Sequence, residues 1–190
     1  MSVFYPINIS TYCNHKLIYS KAPKLNEVNS EIGLDNIYIF REFLKSNHSK
    51  ELDGVDFKLS HGKYDNIICD RQRIKIGRTA TKLHILGFAY WGDTNEYFKV
   101  IYADHSEKLV KIPFIDWSHP WTCKQGDINW YGENIKTVMI VPSAGAQFHA
   151  IYFHHSFVEL DETKEINKIV LPDNMLTHIF ALTLETADNN

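Results

Sequence analysis

From about residue 54 to residue 185 the chain alternates apolar and polar side chains in short runs. That period puts one set of side chains on each face of a strand and does not fit a helix. Tyr97-Phe98-Lys99-Val100-Ile101-Tyr102 and Lys108-Leu109-Val110-Lys111-Ile112 show it most clearly. Ala103-Asp104-His105-Ser106 joins them, with Asp104 and His105 suited to a tight turn, so the two runs predict a hairpin. Further strand-like runs lie at residues 55–59, 66–69, 73–76, 82–88, 137–141, 148–153, 165–171 and 176–185. Polar or Gly- and Pro-bearing stretches at 60–63, 92–95, 142–145 and 172–174 separate them. Many short strands at this spacing, with no helical crossovers, make a sandwich or barrel and exclude a βαβ fold. The expected fold is all-β, a two-sheet antiparallel β-sandwich of jelly-roll type.

The first fifty or so residues are less periodic and richer in Asn and Lys. They read as an edge strand near residues 3–11 and a long segment wrapping the edge of the sandwich, with at most one short helix at 37–44. The whole chain, 1–190, then forms a single domain, with the wrapping segment at 1–51 and the sandwich core at 52–187. A chain of 190 residues buries roughly 70% of its unfolded surface, so its core needs no disulfide or metal.

Charge and composition narrow the partners. Twenty Lys and Arg against 23 Asp and Glu leave a net charge of −3, whereas a nucleic-acid binder is usually basic. An apolar content of 44% rules out disorder. No stretch of 18 apolar residues spans a membrane, and Met1-Ser-Val-Phe-Tyr-Pro lacks the basic-then-apolar order of a signal peptide. The odd count of Cys13, Cys69 and Cys123, with no C-x-x-C, points to reduced thiols in a cytoplasmic protein.

Ten histidines raise the question of a metal. No His-x-His and no His-Glu-x-x-His occurs. His154 and His155 fall on opposite faces of a strand, and His149 and His155, six residues apart, are separated by about 20 Å of extended chain. No metal site and no cofactor is expected; a structural calcium ion is the weaker alternative, without an Asp-x-Asp-x-Asp loop to hold it. Nor is there a Gly-x-Ser-x-Gly elbow. Asp104, Asp116 and Asp127 are carboxylates near loops, but no spacing makes any two of them a glycosidase pair. No catalytic residue is assigned. Cys69 beside Asp70 reads as a buried strand cysteine, Asp65-Asn66 and Asp173-Asn174 as turn residues, and Arg71 and Arg73 as neighbours on one strand face.

Several strings, in order, resemble a β-sandwich domain found in bacterial glycoside hydrolases and related sugar-active proteins. They are Asn8-Ile9-Ser10-Thr11-Tyr12-Cys13-Asn14, Leu52-Asp53-Gly54-Val55-Asp56-Phe57, Tyr64-Asp65-Asn66-Ile67-Ile68-Cys69, Gln72-Arg73-Ile74 and Leu83-His84-Ile85-Leu86-Gly87. Phe98-Lys99-Val100-Ile101-Tyr102-Ala103-Asp104, Phe114-Ile115-Asp116-Trp117, Leu171-Pro172-Asp173-Asn174 and His178-Ile179-Phe180-Ala181-Leu182-Thr183-Leu184 follow. The resemblance covers most of residues 52–185 and implies a jelly-roll-like sandwich that accompanies a catalytic domain without being the catalyst. Two departures stand out. The resembled hairpin usually reads Asp-Gly where this chain has Asp104-His105, and no catalytic domain lies within these residues.

The aromatic loop is the most informative local feature. Three of the four tryptophans fall between residues 117 and 130, in Asp116-Trp117-Ser118-His119-Pro120-Trp121 and Asp127-Ile128-Asn129-Trp130-Tyr131. Tyr90-Trp91-Gly92-Asp93 reads as a neighbouring loop. Indole faces stack on the C–H faces of sugars while Asp and Asn hydrogen-bond hydroxyls. Trp121, Trp130 and Tyr131, with Asp116, Asn129 and Asp127 as polar partners, are therefore the candidate ligand-binding residues, and Trp117 belongs to the core. Three functions stay open: a non-catalytic saccharide-binding accessory module, a structural or protein-interaction sandwich that meets a partner chain or a second copy, and a glycoside hydrolase.

Overall fold

Strand alternation and turn chemistry meet at the hairpin between residues 94 and 114. The computed structural model describes residues 2–24, 37–44, 49–118, 134–145 and 150–187. The two hairpin runs form strands Thr94–Tyr102 and Glu107–Phe114, paired antiparallel from Thr94↔Phe114 to Ile101↔Glu107. At the turn Asp104 Oδ1 accepts the Ser106 N–H at 2.9 Å and the Tyr102 carbonyl accepts the His105 N–H at 3.1 Å. His105 takes a φ of 66° there, the left-handed region where glycine is unstrained and a side chain is not. The turn geometry is the one that Asp-Gly sequences adopt, held here with a histidine in the glycine position.

Fifteen strands are described: β1 (Ser2–Pro6), β2 (Ile18–Tyr19), β3 (Ile37–Phe40), β4 (Ser49–Leu52), β5 (Val55–Lys58), β6 (Ile67–Asp70), β7 (Arg73–Arg78), β8 (Lys82–Ala89), β9 (Thr94–Tyr102), β10 (Glu107–Phe114), β11 (Ile135–Pro142), β12 (Ala144–Gly145), β13 (Ala150–Glu159), β14 (Ile166–Val170) and β15 (Asp173–Ala187). A large sheet runs β1-β15-β8-β13-β11, with β6 also on β15, and faces a second sheet in the order β10-β9-β14-β7. Apart from the parallel pair β2 and β3, the pairings are antiparallel. The fold is all-β, a β-sandwich, as the periodicity requires. No helix among the described residues is long and apolar enough to cross a membrane.

Alternation along β8 explains the layers. Leu83, Ile85 and Ala89 enter the core between the two sheets, with Phe98, Val100, Ile112, Ile169 and Leu182. Leu86, Phe88 and Tyr90 point the other way, into a second core with Phe153, Phe180, Ile151, Leu17, Ile39 and Phe57. Residues Leu83 to Ala89 are buried without a break, the pattern of a strand covered on both faces. The N-terminal segment therefore lies over the outer face of the large sheet instead of only wrapping an edge, and its apolar residues cap that face. At the centre of this second core Phe88, Phe153 and Phe180 pack with ring centroids 4.8–5.5 Å apart; burying each contributes about 1.5–3 kcal/mol.

Several local expectations are corrected. Residues 37–44 form strand β3 followed by a single 3-10 turn, Arg41–Leu44, because Ile39 is needed as a strand residue in the second core. The edge strand stops at Pro6. Arg71 sits at φ 55° in the turn between β6 and β7, so it does not share a strand face with Arg73 and instead pairs with Asp173. Asp65 and Asn66 are not solvent-facing turn residues. Both are buried, and the Asp65 carboxylate accepts the Leu17 and Ile18 N–H groups at 3.0 Å each. They bind the N-terminal layer to the sheet across some fifty residues of sequence.

Candidate functional site

Two loops meet at one end of the large sheet. The Ala89 N–H donates to the Ile115 carbonyl at 2.8 Å and the Trp117 N–H to the Ala89 carbonyl at 3.0 Å, which splices residues 115–117 beside the end of β8. The Tyr90-Trp91-Gly92-Asp93 stretch thus lies in the loop neighbouring Asp116, as its sequence suggested. Asp116 is the clamp between them. Its Oδ2 accepts the Gly92 N–H at 2.6 Å, its Oδ1 accepts the Ser118 N–H at 2.9 Å and the Ser118 hydroxyl at 2.5 Å, and its own N–H donates to Asp93 Oδ1 at 2.8 Å. Buried and fully engaged, this carboxylate positions the rim and has little left for a ligand.

The rings of the rim form a graded stack. Trp117 is buried and lies near-parallel to Tyr90, with centroids 6.5 Å apart. Tyr90 in turn stacks on Trp91 at 5.9 Å and 27°. Trp91 itself is 80% exposed and sits at φ 67°, beside Gly92 at φ 110°. A large indole held on one face by a tyrosine, with the other in solvent, is a ready stacking platform. Sequence reasoning had placed Trp91 only in an adjacent loop; the signal that singles it out is the turn that keeps it from folding into the core. Trp121, Trp130, Tyr131, Asn129 and Asp127 lie outside the described residues.

Carboxylate pairing of glycosidase type is not found among the described candidates. Asp104 is held by Lys164 at 2.8 Å at the turn end of the β9–β10 hairpin, while Asp116 follows its other end. Eight residues of β10 separate them by about 27 Å, far beyond the roughly 5–10 Å that glycoside cleavage uses. No group of three or more His, Cys, Asp or Glu among the described residues is arranged to hold a metal ion.

A second polar constellation, unseen in the sequence, crosses the N-terminal-facing side of the large sheet. The Glu185 carboxylate accepts from the Ser2 hydroxyl at 2.5 Å and from His84 Nε2–H at 2.9 Å. His84 Nδ1 lies 2.9 Å from His155 Nε2, and His155 Nδ1 lies 3.6 Å from Asp53 Oδ2. Three links need three protons, and two neutral imidazoles carry only two. At 3.6 Å the His155–Asp53 contact is the longest of the three. Burial first, and then the His84 neighbour, push His155 down to about 4, so both rings stay neutral near pH 7. A hydrogen bond from Lys136 holds Asp53 below its ordinary value. Burial works to raise Glu185, but hydrogen bonds from Ser2 and His84 and the nearby Lys82 leave it lowered. His84 and His155 belong to adjacent strands, in the register Phe157↔His84 and His155↔Leu86, so their meeting is a diagonal cross-strand contact that no local motif encodes. Closer to β6, Asn66 Oδ1 accepts from His15 Nδ1–H and His178 Nδ1–H at 3.1 Å each.

Fold and rim define a β-sandwich domain. Within that class the chain belongs to the AziU2-like beta-sandwich domain family, whose model matches residues 39–188. No curated protein matches the sequence. The family match carries the β-sandwich, and it begins at β3, so the first strand and the Asp65-bound segment near Leu17 lie before the matched region.

Proposed function

We propose that this chain is a non-catalytic, sugar-related binding module that takes a saccharide ring on the exposed face of Trp91. The observation that carries the reading is the Trp117–Tyr90–Trp91 stack, which ends in an indole 80% open to solvent. The Asp116 clamp fixes that indole before any ligand arrives, which lowers the entropy cost of binding. Trp121, Trp130 and Tyr131, with Asn129 and Asp127, enter the proposal as further contacts on the strength of their chemistry and their closeness in sequence to Asp116.

One observation favours a second reading. The Tyr90 N–H donates to the Leu176 carbonyl at 2.8 Å, and Leu176 and Met175 are 39% and 57% exposed. Trp91 therefore adjoins an apolar strand end that suits a protein partner as well as a sugar. A glycan array probed with the wild-type chain, Trp91→Ala and Trp121→Ala separates the two. Saccharide binding that Trp91→Ala weakens by about tenfold or more supports the first reading. A folded wild type that binds no glycan refutes it and leaves the apolar interaction surface.

A further inference from the structure

β1 closes one edge of the large sheet and β7 closes one edge of the second. Between them runs a groove of about 270 Å³ lined by Tyr5, Ile7, Lys75, Ile76, Arg78 and Leu184. Its floor is apolar, from Ile7, Ile76 and Leu184. Its wall is Tyr5, with the Arg78 guanidinium 3.9 Å from the ring centroid, and Lys75 adds a second cation. The pairing of β7 with β14 shifts register here, Lys168↔Lys75 giving way to Ile166↔Arg78, across Gly77 at φ 75°. Such a bulge turns the strand and re-aims the next side chain, and the side chain after Gly77 is Arg78.

The charges around this groove are not balanced. Lys75 stands directly opposite Lys168 on the neighbouring strand, a like-charge pairing that weakens a sheet. Arg73 lies two residues before Lys75 on the same outward face. None of Arg73, Lys75, Arg78 and Lys168 makes an ion pair with a described residue, whereas Arg71, Lys82, Lys99, Lys136 and Lys164 all do. Four uncompensated cations thus gather in a chain whose net charge is −3.

We propose that this edge groove is a binding site for a small ring-bearing anion, a ring of about monosaccharide size carrying one carboxylate, sulfate or phosphate group. The apolar floor and Tyr5 take the ring face, and Arg78 and Lys75 take the anionic group by charge-assisted hydrogen bonds. The volume suits a small ligand, being at the lower end of the range for ligand pockets. The site is separate from the Trp91 rim and stands or falls without it.

The test is calorimetric titration of the full chain with glucuronate, glucose 6-sulfate and glucose 6-phosphate, with glucose and inorganic sulfate as controls. At least one anionic sugar is expected to bind about tenfold or more tightly than either control, and binding is expected to weaken with added salt. The Lys75→Gln/Arg78→Gln double variant is expected to lose about tenfold or more, and Tyr5→Ala about fivefold, with the β-sheet circular dichroism retained because these side chains are at the surface. Trp91→Ala is expected to leave the titration unaltered, so failure here and failure at the rim are told apart. Glucose binding as tightly as its acids removes the anion from the proposal, and sulfate binding as tightly removes the ring. No binding by any of the three anions, or binding that survives the double substitution, overturns the site.

Discussion

The buried histidines make the stability of this protein a function of pH, and the size of the effect follows from the geometry. Burial, with His15 as a neighbouring charge, pushes His178 down to about 3, and burial with His84 alongside pushes His155 to about 4, from an ordinary 6.5. In the folded protein both rings stay neutral near pH 5, whereas in the unfolded chain they take up protons below 6.5. The unfolded state therefore binds more protons, so stability rises with pH through this window and is lost as pH falls from 6.5 toward the folded values. Between pH 7 and pH 5 each histidine costs about 2 kcal/mol, so the two together cost ~4 kcal/mol. That is a large part of the 5–15 kcal/mol typical of a domain, and with a urea dependence of about 2 kcal/mol per molar it moves the unfolding midpoint by roughly 2 M. The assay is urea denaturation followed by tryptophan fluorescence at pH 7, 6 and 5. His178→Asn supplies the control, since the Asn amide can replace Nδ1–H toward Asn66 but does not titrate. That variant starts less stable, and its midpoint should fall by about 1 M less than that of the wild type between pH 7 and 5. A wild-type midpoint that stays flat over this range, or a His178→Asn slope equal to that of the wild type, refutes the reasoning. The carboxylates do not confuse the readout, because Asp53 and Glu185 are held below their ordinary values and act only at lower pH.

Three further outcomes follow from single positions. His105→Gly should raise stability by about 1 kcal/mol in the same urea titration, because φ 66° strains a side chain and not glycine. Gly87→Ala should cost ~3 kcal/mol or more, or prevent folding altogether: a Cβ there falls 2.4 Å from the His178 carbonyl oxygen, backbone that cannot step aside. Cys13 and Cys69 should both resist iodoacetamide at pH 7.5 in the native protein and react in urea, as peptide mass mapping reads; burial raises Cys13 to about 11 and lifts Cys69 well above its usual value.

Residues 54–185 are the part of the chain whose structure was legible in advance. The runs at 55–59, 73–76, 82–88, 97–102, 108–112 and 137–141 each overlap a strand, β5, β7, β8, β9, β10 and β11 in turn. They were readable because a half-buried strand writes its two environments into alternate residues. Asp104 and His105 marked a turn because local backbone geometry depends on the residues that adopt it. The near-continuous burial of β8 and the short apolar stretches near Leu17, Ile39 and Phe57 carried a second message, a third layer over the large sheet. It went unread because a short apolar run has no period that says which face it will cover.

The candidate sites divide the same way. The tryptophan cluster at 117–130 was a matter of composition, and of its three rings Trp117 lies among the described residues, buried in the core as expected. Which ring stays exposed was decided only where Asp116 reaches Gly92 across 24 residues and props Trp91 outward. His84, His155, Glu185 and Asp53 look unrelated in the sequence, since metal and catalytic motifs are recognised by short spacings and these four meet through strand register. Lys75, Arg78 and Tyr5 likewise share a groove only because β1 and β7 end their sheets on the same side. The alternation that makes a strand is a property of neighbours in the chain, so the sequence alone determined an all-β sandwich with a turn at Asp104. Contacts between side chains on different strands depend on register, sheet order and the closing of one layer on another, and those were decided only when the whole chain packed.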